Sequence, residues 1–113
     1  MSDNLHRSMK QHDTSPVLNA QIKSATTSQA LDLTGASARF IMQDINGNEL
    51  VSAPASIEPG VDGLISYYWQ PGDTATAGTH NGEFEITFPN TLKETHPQDV
   101  FLEIEITEDL NDN

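Results

Sequence analysis

Apolar and polar residues alternate along most of this chain, and a period of two is typical of β-strands. The alternation is clearest in "GEFEITF" (82–88) and "VFLEIEIT" (100–107), where glutamates or threonines separate apolar residues. Glutamate is a poor strand former, so its regular placement predicts one face in water and one face against a core. We therefore expect both segments to be strands of a sheet that is covered on one side.

Four weaker segments with the same period extend the prediction. They are residues 15–23, 36–44, 49–58 and 64–69. Turn signals separate them: the NG dipeptide at 46–47 predicts a type I′ hairpin turn with positive φ at both residues, and a DG dipeptide follows at 62–63. Pro54 indicates an edge or a break in its strand. Residues 90–99 have room for one short helical turn at most.

About seven short strands, frequent turns and the lack of a long amphipathic helix predict a small all-β fold, an antiparallel sandwich. The chain has 113 residues, which is the size of one domain. We divide it into an N-terminal arm (1–13) without a clear period, a β-sandwich (14–107) and an acidic C-terminal tail (108–113).

The stretch "QPGDTATAG" (70–78) is rich in turn-forming residues and follows three consecutive aromatic residues. We expect Trp69 to fill the core at the end of its strand. Asp73 and Thr74 are suited to hydrogen-bond backbone groups inside the turn. No residue of the loop is equipped to attack, protonate or coordinate a substrate, so the loop is predicted to be a corner of the fold.

The charge of the chain is strongly negative and unevenly distributed. The formal net charge is −12. Residues 1–39 contain four lysines or arginines against three aspartates, whereas residues 40–113 contain one lysine against fourteen acidic residues. Binding nucleic acid or anionic lipid requires lysine and arginine to neutralise phosphates. We therefore predict that neither nucleic acid nor membrane is a direct partner.

The chain contains no cysteine, which excludes disulfides and thiolate-based metal sites. It has no apolar run of the length that spans a membrane, and its first twenty residues lack the apolar stretch of a signal peptide. We expect a protein that is made and used without Sec export.

Side chains that could carry chemistry are few. The histidines show neither the spacing of a metal site nor that of a catalytic group; they are His6, His12, His80 and His96. "DINGNE" (44–49) crowds oxygen atoms around a glycine, but the calcium-loop pattern needs a glutamate where Ala53 stands, and a hairpin turn explains the segment. The alternating glutamates fit solvated strand faces better than the paired carboxylates of a glycosidase. We predict no enzyme activity, no cofactor and no metal.

The order of several motifs resembles the immunoglobulin-like domain of phage baseplate upper proteins. The matching segments are "QHDTSPVLNAQI" (11–22), "LDLTGASARFIM" (31–42), "NGNELVSAPASI" (46–57), "DGLISYYWQPGDTATAGTHNGEFEITF" (62–88) and "ETHPQDVFLEIEI" (94–106). They carry the Leu-Thr-Gly, Trp-x-x-Gly-Asp-Thr, Glu-Phe-Glu and Thr-x-Pro elements of that family, and the resemblance covers about residues 11–106. The departures are His12 in place of a glycine, His80 in place of an aromatic residue, the segment 24–30, and residues 1–10, which have no counterpart.

The resemblance implies an immunoglobulin-like antiparallel β-sandwich with a non-enzymatic structural role in a tailed-phage virion, assembled in the host cytoplasm. The place implied is the baseplate or tail, the head–tail neck, or the capsid surface as a fiber or decoration. The implied partners are other phage structural proteins and further copies of the chain, in a homo-oligomer or symmetric array. The alternative is a module that recognises host-surface glycan or protein, for which only Tyr67 or Tyr68 offers an outward ring.

The N-terminal arm supplies the candidate assembly contacts. Leu5 and Met9 are possible apolar anchors, and Arg7 and Lys10 are cations that precede a strongly acidic body. So short a segment has too few apolar groups to offset its ordering entropy by folding back on the domain. We therefore expect it to be mobile in the isolated protein and ordered against a neighbouring subunit.

Overall fold

The computed structural model describes residues 6–15, 17–24, 27–58, 60–97 and 102–110. Within these ranges the chain forms eight β-strands and one 3-10 turn at Gly60–Asp62. The strands are β1 (His6–Lys10), β2 (Leu18–Gln21), β3 (Ser37–Asp44), β4 (Glu49–Ile57), β5 (Leu64–Tyr67), β6 (Gly78–Thr87), β7 (Lys93–His96) and β8 (Leu102–Thr107). The predicted all-β fold is confirmed. In the part of the chain described, no helix is long and apolar enough to cross a membrane.

The strands follow one hydrogen-bonded path in the order β1-β8-β6-β3-β4-β5-β2, which folds over into two layers. The long layer contains β1, β8, β6, β3 and most of β4, and β7 pairs with the second half of β6. The short layer contains β2, β5 and the end of β4. This division arises because β4 leaves β3 after Ala55 and pairs with β5 through Ser56 and Ile57. The predicted sandwich is therefore confirmed, with one strand passing between its layers.

The core between the layers is centred on Phe40. The centroid of its ring lies 4.9 Å from that of Tyr67, 5.2 Å from that of Phe84 and 5.6 Å from that of Trp69. Trp69 meets Phe40 and Tyr67 edge to face, an arrangement that aromatic pairs favour. At Gly82 an added Cβ would lie 3.0 Å from the Phe40 ring, so any larger residue there would press against that ring. The prediction that Trp69 fills the core is confirmed, since 5% of it is exposed.

The turn between β3 and β4 differs from the predicted type I′ turn. Gly47 has a positive φ of 88°, but Asn46 does not adopt a positive φ. The Asp44 N–H donates to the Asn48 carbonyl at 2.9 Å, and this hydrogen bond encloses a loop of three residues, 45–47. A three-residue loop that ends on a glycine with positive φ is the common alternative to the two-residue hairpin.

Part of the segment 90–99, predicted to hold one short helical turn at most, is a strand. β7 (Lys93–His96) pairs antiparallel with the second half of β6, from Phe84 opposite His96 to Thr87 opposite Lys93. β6 begins at Gly78, earlier than its alternation indicated, and is long enough to pair with β8 and β7 in turn. The sequence of β7, KETH, has no apolar alternation because only one end of it reaches the core. The formation of β7 is therefore explained by backbone pairing with β6 and not by the pattern of its own side chains.

Residues 6–10, predicted to belong to the N-terminal arm, form the edge strand β1. It pairs in parallel with β8 from His6 to Lys10, whereas the other pairs of described strands are antiparallel. The prediction of an arm over residues 1–13 is therefore wrong for this segment. Backbone pairing with β8, together with packing of Met9 against the core, offsets the ordering entropy that the prediction took to be uncompensated.

Candidate functional site

The corner loop before β6 is organised by one carboxylate. The buried hydroxyl of Tyr67 donates a hydrogen bond to Asp73 at 2.5 Å, and the backbone N–H of Gln70 donates to the same oxygen at 2.8 Å. Burial and this neighbouring carboxylate raise the pKa of the Tyr67 hydroxyl well above its ordinary value, so the hydroxyl stays protonated. Asp73 therefore stabilises the turn, as the sequence indicated, and its role is structural.

The loop also fastens the chain that leaves β1. The Thr74 hydroxyl donates to the Asp13 carbonyl at 2.9 Å, and the His12 N–H donates to the Thr74 carbonyl at 3.2 Å. The buried side chain of Gln11 donates to the Ala75 carbonyl at 2.8 Å. Thr74 thus bonds outside its own turn, contrary to the prediction that it bonds within it. The loop is a structural corner that joins two segments distant in sequence.

The described histidines are spread over the molecule. His80 is buried, with Nε2 at 2.9 Å from the Thr76 carbonyl, and its Nδ1 has no hydrogen-bond partner. His96 lies with Nε2 at 3.0 Å from Glu94. Among the described residues no three histidine, aspartate or glutamate side chains are grouped so that they could hold a metal ion.

The carboxylate of Asp44 caps the turn between β3 and β4. It accepts hydrogen bonds from the backbone N–H groups of Asn46 and Asn48, each at 2.9 Å, and from the Asn48 side chain at 3.0 Å. These bonds, led by those from Asn48, hold the pKa of Asp44 below its ordinary value. The oxygen atoms that suggested a calcium loop are thus engaged by the turn itself.

The four predicted assembly contacts do not form one outward surface. Leu5 lies outside the described residues. Arg7 points across the opening of the sandwich and donates to the carbonyls of Asn19, at 3.2 Å, and His6, at 3.1 Å. Met9 packs against the core, and Lys10 is exposed. Met9, the apolar anchor that the structure describes, therefore packs within its own domain. Arg7, one of the two cations, contacts β2 of the same domain.

The outer face of the long layer is acidic along β6 and β8. Its side chains include Glu83 and Glu85 of β6 and Glu103 and Glu105 of β8. Nε2 of His6 lies 3.2 Å from Glu105 and 3.7 Å from Glu103. Exposed pairs of this kind contribute little to stability. Such a face favours water and opposes the approach of a second acidic molecule.

The outer face of the short layer is uncharged and partly apolar. Its strands β2 and β5 have the sequences LNAQ and LISY, which contain no charged residue. We call this surface the uncharged face, and its outward side chains are Val17, Asn19, Gln21, Leu64, Ser66 and Tyr68. The side chains of Asn19 and Ser66 are joined by a hydrogen bond of 2.8 Å. Val17, Leu64 and Tyr68 are 37%, 36% and 51% exposed.

The antiparallel register brings two of these apolar side chains together. Val17 and Tyr68 each stand one position beyond the paired residues Leu18 and Tyr67, so they are cross-strand neighbours at one end of the layer. Tyr68 is therefore the outward ring of the two tyrosines. This surface was not predicted from the sequence, although the outward positions of β2 and the lack of acidic residues in β5 can be read from it.

Comparisons with known proteins support the fold alone. No family model matches the chain, and no curated protein matches it. Among solved structures, the chain is similar to CopC from Methylosinus trichosporium OB3b, with a TM-score of 0.52 and 12% identity. The match covers 90% of this chain and 87% of that one. A similarity this distant in sequence describes the β-sandwich and assigns no site.

The prediction of a structural protein of a tailed-phage virion is wrong. The finding that overturns it is the similarity over nearly the whole chain to CopC, a protein of Methylosinus trichosporium and not of a phage particle. The alternative of a host-surface recognition module depended on the same assignment and is withdrawn with it. The motif resemblance to baseplate upper proteins is not tested by this similarity and stays a prediction.

Proposed function

We propose that this protein is a non-enzymatic interaction module that self-associates, with a second copy docking on the uncharged face. The observation that carries the proposal is the charge contrast between the two outer faces. In a chain of net charge −12, strands β2 and β5 carry no charge, while β6 and β8 present alternating glutamates.

Electrostatics favours this face over the acidic face of β6 and β8 for a second copy. Two molecules of the same strong negative charge repel each other, and the repulsion is greatest where acidic faces meet. Contact through the uncharged faces keeps the glutamates of both long layers on the outside of the dimer. The repulsion that remains acts over a distance, so salt weakens it.

The exposed apolar side chains supply the favourable term. Burying a fully exposed aliphatic or aromatic side chain contributes roughly 1.5–3 kcal/mol. Val17, Leu64 and Tyr68 are already half-buried, so each contributes a fraction of that value. A two-fold dimer presents every such side chain twice, which doubles the sum. We expect a reversible dimer whose population rises with protein concentration.

Sedimentation velocity over a wide range of protein concentrations tests the proposal. The wild-type protein should shift from monomer towards dimer, and added sodium chloride should strengthen the association. Tyr68→Glu should remain a monomer, because each copy then adds a carboxylate to the interface between two acidic molecules. Leu92→Glu is the matched control: Leu92 is 65% exposed in the turn before β7, away from the uncharged face, and its substitution adds the same charge.

Two outcomes oppose the proposal. One is a wild-type protein that stays monomeric at the highest concentration reached. The other is a dimer that Leu92→Glu weakens as much as Tyr68→Glu does, since that result would locate the contact elsewhere or attribute it to net charge alone.

A further inference from the structure

Among the strands that the structure describes, β2 leaves one backbone edge of the short layer open. β2 is the last strand of the hydrogen-bonded path, and its described partner is β5. The Ile22 N–H donates to the Gly63 carbonyl at 2.8 Å, and bonding alternates along an antiparallel strand. The backbone groups of Asn19 and Gln21 therefore point away from β5, to the open side. An open edge is a template for pairing with another chain.

The other edge strands carry their own protection. β1 has the sequence HRSMK and β7 the sequence KETH, and charged side chains, lysine above all, are a common protection of edge strands against pairing with another chain. β2, with the sequence LNAQ, has no charged residue to keep a second strand away. Its protection comes from another strand, because Arg7 of β1 donates to the Asn19 carbonyl at 3.2 Å.

We propose that Arg7 is a cap that closes the edge of β2 to a second copy of the chain. The guanidinium occupies the Asn19 carbonyl, one of the acceptors that a pairing strand needs. Without the cap, the β2 strands of two copies pair antiparallel about a two-fold axis and join their short layers into one sheet. The contact uses backbone groups, so it extends the proposed self-association and does not depend on the uncharged face.

The occupant is a second copy because β2 is complementary to itself. Antiparallel pairing of two LNAQ segments opposes no like charges, and alternate side chains fall on the same faces in both copies. A partner strand with acidic residues of its own gains the same backbone bonds, but it places those charges directly at the edge of an acidic protein, which a second uncharged β2 does not do.

The test replaces Arg7 in a background that cannot use the uncharged face. Arg7→Met keeps an unbranched side chain but removes every donor. Combined with Tyr68→Glu, it should raise the association constant in sedimentation velocity about tenfold or more, the effect expected for loss of a charged hydrogen bond. The matched control is Arg39→Met with Tyr68→Glu. Arg39 likewise donates to a backbone carbonyl, that of Ser52 at 3.1 Å, but on strands already paired with each other.

Amide hydrogen exchange supplies the second readout. In the assembled Arg7→Met protein, the Asn19 and Gln21 amides should exchange more slowly than in the wild-type monomer, because they become paired. If Arg7→Met does not fold, Arg7→Ala, which also removes every donor, allows the same comparison. Association equal to that of the Arg39→Met control, or assembly without protection at Asn19 and Gln21, would overturn the proposal. Tyr68→Glu alone tests the uncharged face, so the two proposals fail separately.

Discussion

Trp69 links the two layers of the sandwich through one side chain. It packs edge to face on Phe40 of the long layer and on Tyr67 of its own layer. Trp69→Ala should lower the free energy of unfolding by about 3–5 kcal/mol, the range for truncating a buried aromatic residue. Denaturant melts measure the loss. Tyr68→Ala is the adjacent control and should cost less than about 1 kcal/mol, because Tyr68 is 51% exposed. A small loss at Trp69 would show that its ring is dispensable to the core.

Asp73 is the second residue whose removal has a definite expected result. Asp73→Ala leaves the buried Tyr67 hydroxyl without its acceptor, which should cost about 1–3 kcal/mol of unfolding free energy. Denaturant melts of a double-mutant cycle with Tyr67→Phe isolate this bond from other effects of either change. The double mutant should be less destabilised than the sum of the single mutants. Strict additivity would mean that Asp73 acts through the Gln70 N–H alone.

Asp44 makes stability depend on pH in a known direction. Its pKa is lowered from 3.8 in the folded protein, so its contribution is fully present above pH 3.8 and is lost as the pH falls through the lowered value. Thermal melts should show Asp44→Ala to be less stable than wild type at pH 7, and the difference should shrink below pH 3.8. Glu49→Gln, in the same hairpin, is the control for lost charge. An Asp44→Ala difference that stays constant down to pH 2 would mean that the cap does not require the ionised carboxylate.

At the scale of the element, β1 decides how the domain is bounded. Met9 faces the core, while its neighbour Ser8 is exposed. Because Met9 is half-buried, Met9→Ala should cost about 1–2 kcal/mol, less than truncation of a fully buried methionine. Ser8→Ala, in the same strand, should change stability by less than about 0.5 kcal/mol in the same thermal or denaturant melts. Equal and negligible effects of the two changes would restore the interpretation of an arm outside the fold.

The elements that could be predicted from sequence are those whose side chains meet the core on one face. β3, β6 and β8 alternate buried residues with more accessible ones along most of their length. β1 and β7 escaped prediction because their positions depend on the open edges of β8 and β6, which the sequence of neither strand encodes. The hairpin was located but its type was not, since an Asn-Gly pair is compatible with two-residue and three-residue loops.

At the scale of the whole molecule, the two outer faces differ in charge. The glutamates of β6 and β8 were readable as a solvated face from their period alone. The uncharged face was harder to recognise, because it becomes a surface only when β2 and β5 are paired, and these strands are distant in sequence. What distinguishes this face is that neither of its strands carries a charged residue, and this is apparent only when the two strands are considered together. The charge contrast between the layers therefore required the topology.

Self-association through the uncharged face is the central claim, and a concentration series of NMR spectra tests it most directly without altering the protein. The methyl signals of Val17 and Leu64 and the ring signals of Tyr68 should shift together as the concentration rises. Signals of Ile45 and Leu92, which are 75% and 65% exposed outside that face, should not move. Spectra that are independent of concentration, or shifts confined to Ile45 and Leu92, would contradict the account.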